Sequence, residues 1–221
     1  MYVPVCLRSP MYGLFSVIYG VKIQEATRRY HEYPNFTDFF TRTLKPGIRP
    51  IYRLKDKYSL CSPCDGTVLS CGLVDTAGST IDCVKGRSYR LDEFMMGVIG
   101  DDGDQETAAR VEKVSKNHAG VEALLQSVRE KGNQLHYMVI YLSPGDYHRF
   151  HSPAIHTAHY RRHIVGYLSP VKPSYVNKHK DVFKHNERVN IFGDWSGVEQ
   201  NFFFLSYVGA LNVGSIKLDF D

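Results

Sequence analysis

A chain of 221 residues with 43% hydrophobic and 13% aromatic side chains can bury a full-sized core, which excludes an intrinsically disordered segment. Its 27 basic and 23 acidic residues are interspersed, so the net charge of +4 describes a mildly basic face suited to an anionic membrane surface; no nucleic-acid partner is expected. No run of about 18 apolar residues exists to span a bilayer, the start lacks the regions of a signal peptide, and Cys6, Cys61, Cys64, Cys71 and Cys83 form no regular disulfide framework, which points to a reducing compartment.

In chain order, Met11, Leu14, Phe15 and Ile18 predict a short amphipathic helix after Pro10, ended at Gly20, and Ile23, Ala26 and Tyr30 predict a second. Asn35, with Asp38 three residues later, resembles a cap for a third helix over "FTDFFTRTL" that sets Phe36, Phe39 and Phe40 on one face. With Arg28, Arg29, Arg42 and Lys45 nearby, these helices suit a membrane interface, and equally a core that their apolar faces would cover.

Beyond Pro50 the pattern turns to short β-type runs: "TVLSCGL", "LHYMVIYL", "TAHYRRHIVGYL", "VFKHNERVNIFG", "NFFFLSYVGAL" and "VGSIKLDF". Residues 100–133 read as a polar surface excursion carrying one helix at "VEALLQSVREKG". The expected fold class is α+β: membrane-surface helices over residues 1–50, then a mainly antiparallel β body over 51–221.

Three features could carry chemistry. Cys61-Ser-Pro-Cys64 has redox or zinc spacing but no second pair, so two small residues beside a turn is the preferred reading. Asp65-Gly66 is turn chemistry unless a histidine partners the carboxylate, the generic arrangement for activating a hydroxyl. The segment "YLSPGDYHRFHSPAIHTAHYRRH" holds His148, His151, His156, His159 and His163, half of the ten histidines. On an extended strand His148 and His151 would face opposite sides unless the turn at Pro144-Gly145 bends the chain. A zinc site lacks both the HExxH helix and carboxylates in ligand spacing, so no metal is expected. Two Gly-Ser pairs occur, Gly78-Ser79 and Gly214-Ser215, and neither is specific alone.

Taken together, "FFTRTLKPGIRPI", "SPCDGTVLSCG", "VKGRSYRLDEF", "YLSPGDYHRFHSPA", "FKHNERVNIFGDW" and "VGALNVGSIKLDFD" resemble, in order, the phosphatidylserine decarboxylase family, and most closely its mitochondrial branch. The resemblance implies decarboxylation of phosphatidylserine to phosphatidylethanolamine at the mitochondrial inner membrane, by an enzyme that cuts itself at a Gly-Ser bond. The cut serine becomes a pyruvoyl cofactor, a carbonyl that condenses with the substrate amine and accepts the electrons released as carbon dioxide departs. Asp65 and His151 match the Asp and His that activate the serine, and His148 the histidine of the decarboxylation step. Tyr147 and Phe150 are expected to shape the substrate pocket.

The family's processed serine lies in an "LGST" motif, whereas "VGA-NVGSI" is an earlier block, so Ser215 is expected to be an uncut strand residue. The chain stops before "LGST", which implies an incomplete β-subunit whose α-subunit, cut from the same precursor, carries the pyruvoyl group; alone it is expected to be inactive. "GYLSPVKPS" departs from the family's Ser-Val-Asn stretch, and Lys172 is the residue there that could meet the lipid's phosphate. The other readings are a catalytically silent membrane-associated fragment or paralogue, and a zinc enzyme built on the histidine cluster.

Overall fold

Helix α1 runs from Val5 to Tyr19, six residues further upstream than its apolar spacing predicts, because Pro10 removes only one intrahelical donor and the helix passes through it. It stops where the sequence requires: Gly20 takes a left-handed φ of 73° and its N–H returns to Ser16 O. The computed structural model describes residues 2–53, 55–74, 80–82, 88–97, 121–196 and 202–219. These fall into two units: Met1–Thr67 with Ile140–His156 and Trp195–Asn201, and Val68–Val139 with Thr157–Asp194 and Phe202–Asp221.

In the first unit the expected second helix does not form. Ile23–Glu25 and Tyr30–Glu32 are single 3-10 turns, and between them Ala26 is extended and bridges Leu44, with Thr27 N–H donating to Thr43 O at 2.9 Å. A long-range bridge thus overrides local helical spacing. Helix α2 is shorter than expected, Phe36–Phe40, and is capped as predicted by Asn35, whose Oδ1 accepts from Asp38 N–H at 2.8 Å. The core is aromatic: Tyr12, Tyr33 and Phe39 are fully buried or nearly so, and Tyr12 stacks on Phe39 at 4.6 Å. Each such ring contributes roughly 2–3 kcal/mol by leaving water.

Of the predicted apolar face of α1, Phe15 packs on that core, edge-on to Phe39, while Met11, Leu14 and Ile18 do not enter it. Tyr12 and Ser16 are its buried residues, while Leu7, Leu14, Val17 and Ile18 are 54%, 63%, 84% and 63% exposed. Among the described residues no helix is long and apolar enough to cross a membrane.

The strands are β1 (Thr67–Leu73), β2 (Thr80–Asp82), β3 (Ser88–Arg90), β4 (His136–Tyr141), β5 (His156–Ile164), β6 (Arg188–Trp195) and β7 (Phe202–Val208). They pair as β1-β4, β2-β3 and β5-β6-β7, mostly antiparallel, so the structure is α+β. Helix α3 covers Leu91–Met96 and residues 121–130 form α4, the helix expected at "VEALLQSVREKG", which Gly132 ends at φ 66°. The polar stretch 98–120, Gly78-Ser79 and Cys83 lie outside the described residues.

The core of the second unit gathers Ile81, Tyr89, Met95, Leu125, Val176 and Phe183. Two expectations fail here. "VFKHNERVNIFG" opens not as strand but as helix α6, Val182–His185, after the short α5, Pro173–Val176. Fully buried Arg188 fixes that arrangement by donating to four carbonyls, those of Glu93, Phe94, Lys184 and Asn186, at 2.7–3.1 Å. The described part of "VGSIKLDF", residues 213–219, forms no strand: Ala210 and Val213 close a turn with Asn212 at φ 63°, and Ile216 N–H returns to Gly214 O instead of joining a ladder.

Candidate functional site

The loop after β4 is shaped first by its turn. Asp146 N–H donates to Ser143 O and Ser143 N–H to Asp146 Oδ2, at 2.9 and 2.7 Å, folding Pro144-Gly145 back. Gly145 lies against the carbonyl of Tyr19 so closely that a side chain there would collide with it. Arg42, 4% exposed, donates from Nη2 to the carbonyls of Gly145 and Asp146, at 2.8 and 3.1 Å, and its ring-side neighbour is Phe39. This places Arg42 in the interior, not among surface cations that could meet lipid. Burial lowers its pKa.

The "SPCDG" turn is then tied to the same loop. His151 N–H donates to Pro63 O at 2.7 Å and Cys61 N–H to Pro153 O at 2.8 Å. Gly66 has φ 147°, and a Cβ there would stand 2.5 Å from Tyr141 O; glycine lets the turn lie against the end of β4. Cys61 and Cys64 are free thiols, and burial pushes the Cys64 thiol up to about 11, so it is not a reactive thiolate at neutral pH.

On this scaffold His148 Nδ1 lies 2.9 Å from the carbonyl of Asp146. A carbonyl only accepts, so the proton sits on Nδ1 and Nε2 carries the lone pair in the neutral ring. The ring packs on Phe40 at 3.8 Å between centroids, and burial lowers its pKa. His151 Nε2 is 3.0 Å from Tyr147 Oη, with the rings nearly parallel. Tyr147 is buried and its pKa is raised by that burial, so the phenol keeps its proton at neutral pH while it shares this hydrogen bond with His151 Nε2.

Asp65 does not use its carboxylate on a histidine. Arg49 Nε and Nη2 bind Asp65 Oδ1 and Oδ2 at 2.8 and 2.6 Å, and the same Nη2 reaches Glu25 at 2.9 Å. The guanidinium holds the Asp65 carboxyl below the usual carboxylate range, and the Arg49 pKa is raised in turn. Arg49, Lys45, Arg149, Thr43, Tyr147 and His151 wall a cavity of about 330 Å³.

Phe150 is partly buried in the same loop. Lys172 is exposed at the N-cap of α5, in the second unit, as is Ser215, exposed in the irregular segment after the turn at Asn212. The other clustered histidines go to separate partners: His156 to Ser152, His159 to Asp194 and His163 to Glu187. Among the described residues no three His, Cys, Asp or Glu side chains form a group able to hold a metal ion. Sequence reading missed Phe40 and Arg49 as site-shaping residues. Both stand in the quoted block "FFTRTLKPGIRPI", and no local spacing signals that one stacks on His148 and the other grips Asp65.

The donor set, a phenol O–H and two imidazoles within five residues of one loop, suits a carbonyl group that must exchange protons. Comparison with known proteins gives the family. Residues 36–221 match the model of phosphatidylserine decarboxylase. The chain is 40% identical over 219 residues to the mitochondrial phosphatidylserine decarboxylase proenzyme of Cricetulus griseus, covering 99% of this chain and 50% of that protein. It is 32% identical over 273 residues to mitochondrial phosphatidylserine decarboxylase proenzyme 1 of Saccharomyces cerevisiae, covering 99% and 53%. With the mitochondrial proenzyme of Caenorhabditis elegans the figures are 35% over 218 residues, 98% and 48%. The chain belongs to the phosphatidylserine decarboxylase family, and it spans about half the length of these curated relatives.

Proposed function

We propose that the protein containing this chain decarboxylates phosphatidylserine to phosphatidylethanolamine, using a pyruvoyl group made by self-cleavage at a Gly-Ser bond other than Gly214-Ser215. The single observation that carries the reading is the arrangement on the loop after β4: Tyr147 hydrogen-bonded to His151, with His148 held neutral beside it.

The pyruvoyl carbonyl, once formed, supplies the electron sink for loss of carbon dioxide. The chain's own residues handle protons. Tyr147 fixes the His151 ring by its hydrogen bond; with Nε2–H donating to the phenol oxygen, Nδ1 carries the free lone pair of the neutral ring. In the proposed self-cleavage His151 acts as base toward the serine hydroxyl, assisted by Asp65, whose carboxylate is held by Arg49. His148 returns a proton to the substrate carbon. A histidine whose pKa is lowered by burial is a stronger acid once protonated, so Nε2 releases that proton readily. Tyr147 and Phe150 shape the pocket.

Substrate in a bilayer requires access to it. The exposed Leu7, Leu14, Val17 and Ile18 of α1 supply an apolar surface for the lipid interface, and exposed Arg28 and Arg29 add cations suited to anionic lipid. The relatives are named mitochondrial, and the inner membrane is the proposed site of action. The test is the intact mass of the protein expressed from its full reading frame. Two fragments, one beginning with a pyruvoyl group, support the reading; an uncut protein, or a cut before Ser215, overturns it.

A further inference from the structure

We propose that the cavity walled by Lys45, Arg49, Arg149, Tyr147 and His151 binds the phosphodiester of the phospholipid substrate, with Lys45 and Arg149 as its direct contacts. The inference deepens the decarboxylase reading above and rests on it for the identity of the lipid, while the anion chemistry rests on the cavity alone.

Three cations face this space, and none of the residues lining it is acidic. They are not equivalent. Arg49 is neutralised by its ion pairs with Asp65 and Glu25, so it shapes the wall and offers little net charge. Lys45 Nζ donates to Gln24 O at 2.8 Å, which orients the ammonium and leaves two of its three N–H groups for a ligand. Arg149 Nε donates to Thr41 O at 2.8 Å, which fixes the plane of the guanidinium and leaves its two terminal NH₂ groups for an oxyanion. A planar guanidinium with a pre-set orientation matches a tetrahedral phosphate edge by paired, charge-assisted hydrogen bonds. The volume, about 330 Å³, is within the range of small-ligand sites.

Position assigns the ligand. The same cavity is walled by Tyr147 and His151, the pair placed at the chemistry. In a phosphatidylserine head group only an oxygen and a methylene separate phosphorus from the serine α-carbon. A site that grips the phosphate must therefore adjoin the group that acts on that carbon, and two residues walling this cavity, Tyr147 and Arg149, flank His148 in the chain. A free phosphate ion would satisfy the same two cations, so the source of the phosphoryl group is what the experiment separates.

Binding of soluble glycerophosphoserine, inorganic phosphate and serine to the whole chain by calorimetry tests the assignment, with the double variant Lys45→Ala/Arg149→Ala, the conservative Arg149→Lys, and Lys172→Ala. Glycerophosphoserine is expected to bind, to lose about tenfold or more in affinity in the double variant, and to lose a smaller part of it in Arg149→Lys, which keeps the charge and forfeits the paired contact. Lys172→Ala is expected to leave it unchanged. A melting curve matching the parent's shows that the variants fold. Unchanged affinity in the double variant, or loss in Lys172→Ala alone, overturns the assignment; inorganic phosphate binding as tightly as glycerophosphoserine overturns the lipid source. The two readings fail separately. Binding lost in the double variant in a protein that makes no carbon dioxide leaves the cavity and removes the decarboxylase, whereas decarboxylation with unchanged KM in the double variant does the reverse.

Discussion

Arg49 and Asp65 form a two-pronged ion pair, 2.8 and 2.6 Å, across sixteen residues of chain. Because the pair depresses the Asp65 pKa, it contributes stability that is fully present above the unfolded carboxylate value of about 3.9 and is lost as pH falls through the lower folded value. Arg49→Met is therefore expected to raise the Asp65 pKa and flatten this acid dependence. At neutral pH the cost is about 1 kcal/mol or less, since both partners are partly exposed. Carbon-detected titration of the Asp65 carboxyl measures it; an unchanged midpoint would show that Arg49 does not set it.

Phe40 against His148 gives a second outcome. His148 is expected to titrate below the ordinary histidine value of about 6.5 and to be neutral at pH 7. The unfolded chain then binds the proton more readily, so stability falls as pH drops from the unfolded value through the lower folded one. Phe40→Ala opens the ring to water and is expected to move the midpoint upward. Imidazole proton shifts followed against pH report it, and a midpoint at or above the ordinary value in the parent contradicts the burial argument.

Arg188 is a structural cation. It sits fully buried, donates to four main-chain carbonyls, and its pKa is lowered by burial to about 10. Arg188→Met leaves those carbonyls unsatisfied and is expected to cost about 3–5 kcal/mol. Denaturant unfolding measures the loss, and a variant within about 1 kcal/mol of the parent would mean water replaces the guanidinium.

How much of this was legible follows from whether a feature is local. The Asn35 cap, the stop at Gly20 and the helix at 121–130 ended by Gly132 were readable because each depends on residues within one or two turns. The Ala26–Leu44 bridge, the helix at Val182–His185 and the pairing of Asp65 with Arg49 were not, because each is decided by a partner between sixteen and ninety-five residues away. His148 and His151 were singled out by residue type. Their partners, Phe40 and Tyr147, emerge only once the turn at Pro144-Gly145 is folded.

The α1 surface makes a prediction about lipid. Leu14→Asp/Ile18→Asp places two charges on the exposed apolar face without touching the buried Tyr12 and Ser16. Sedimentation with vesicles containing anionic lipid is expected to fall severalfold, with the melting temperature unchanged, because charges at an acyl boundary oppose insertion. Equal sedimentation of parent and variant would place membrane contact elsewhere.

The most direct test of the central claim is release of labelled carbon dioxide from serine-carboxyl-labelled phosphatidylserine, by the protein expressed from its full reading frame, in the parent and in His148→Gln and Tyr147→Phe. Robust release by the parent is expected. His148→Gln, still folded and still cut at its Gly-Ser bond, is expected to lose at least about a hundredfold in rate. Tyr147→Phe, which forfeits one hydrogen bond to His151, is expected to lose about tenfold. No release by the parent, or full release by His148→Gln, would contradict it.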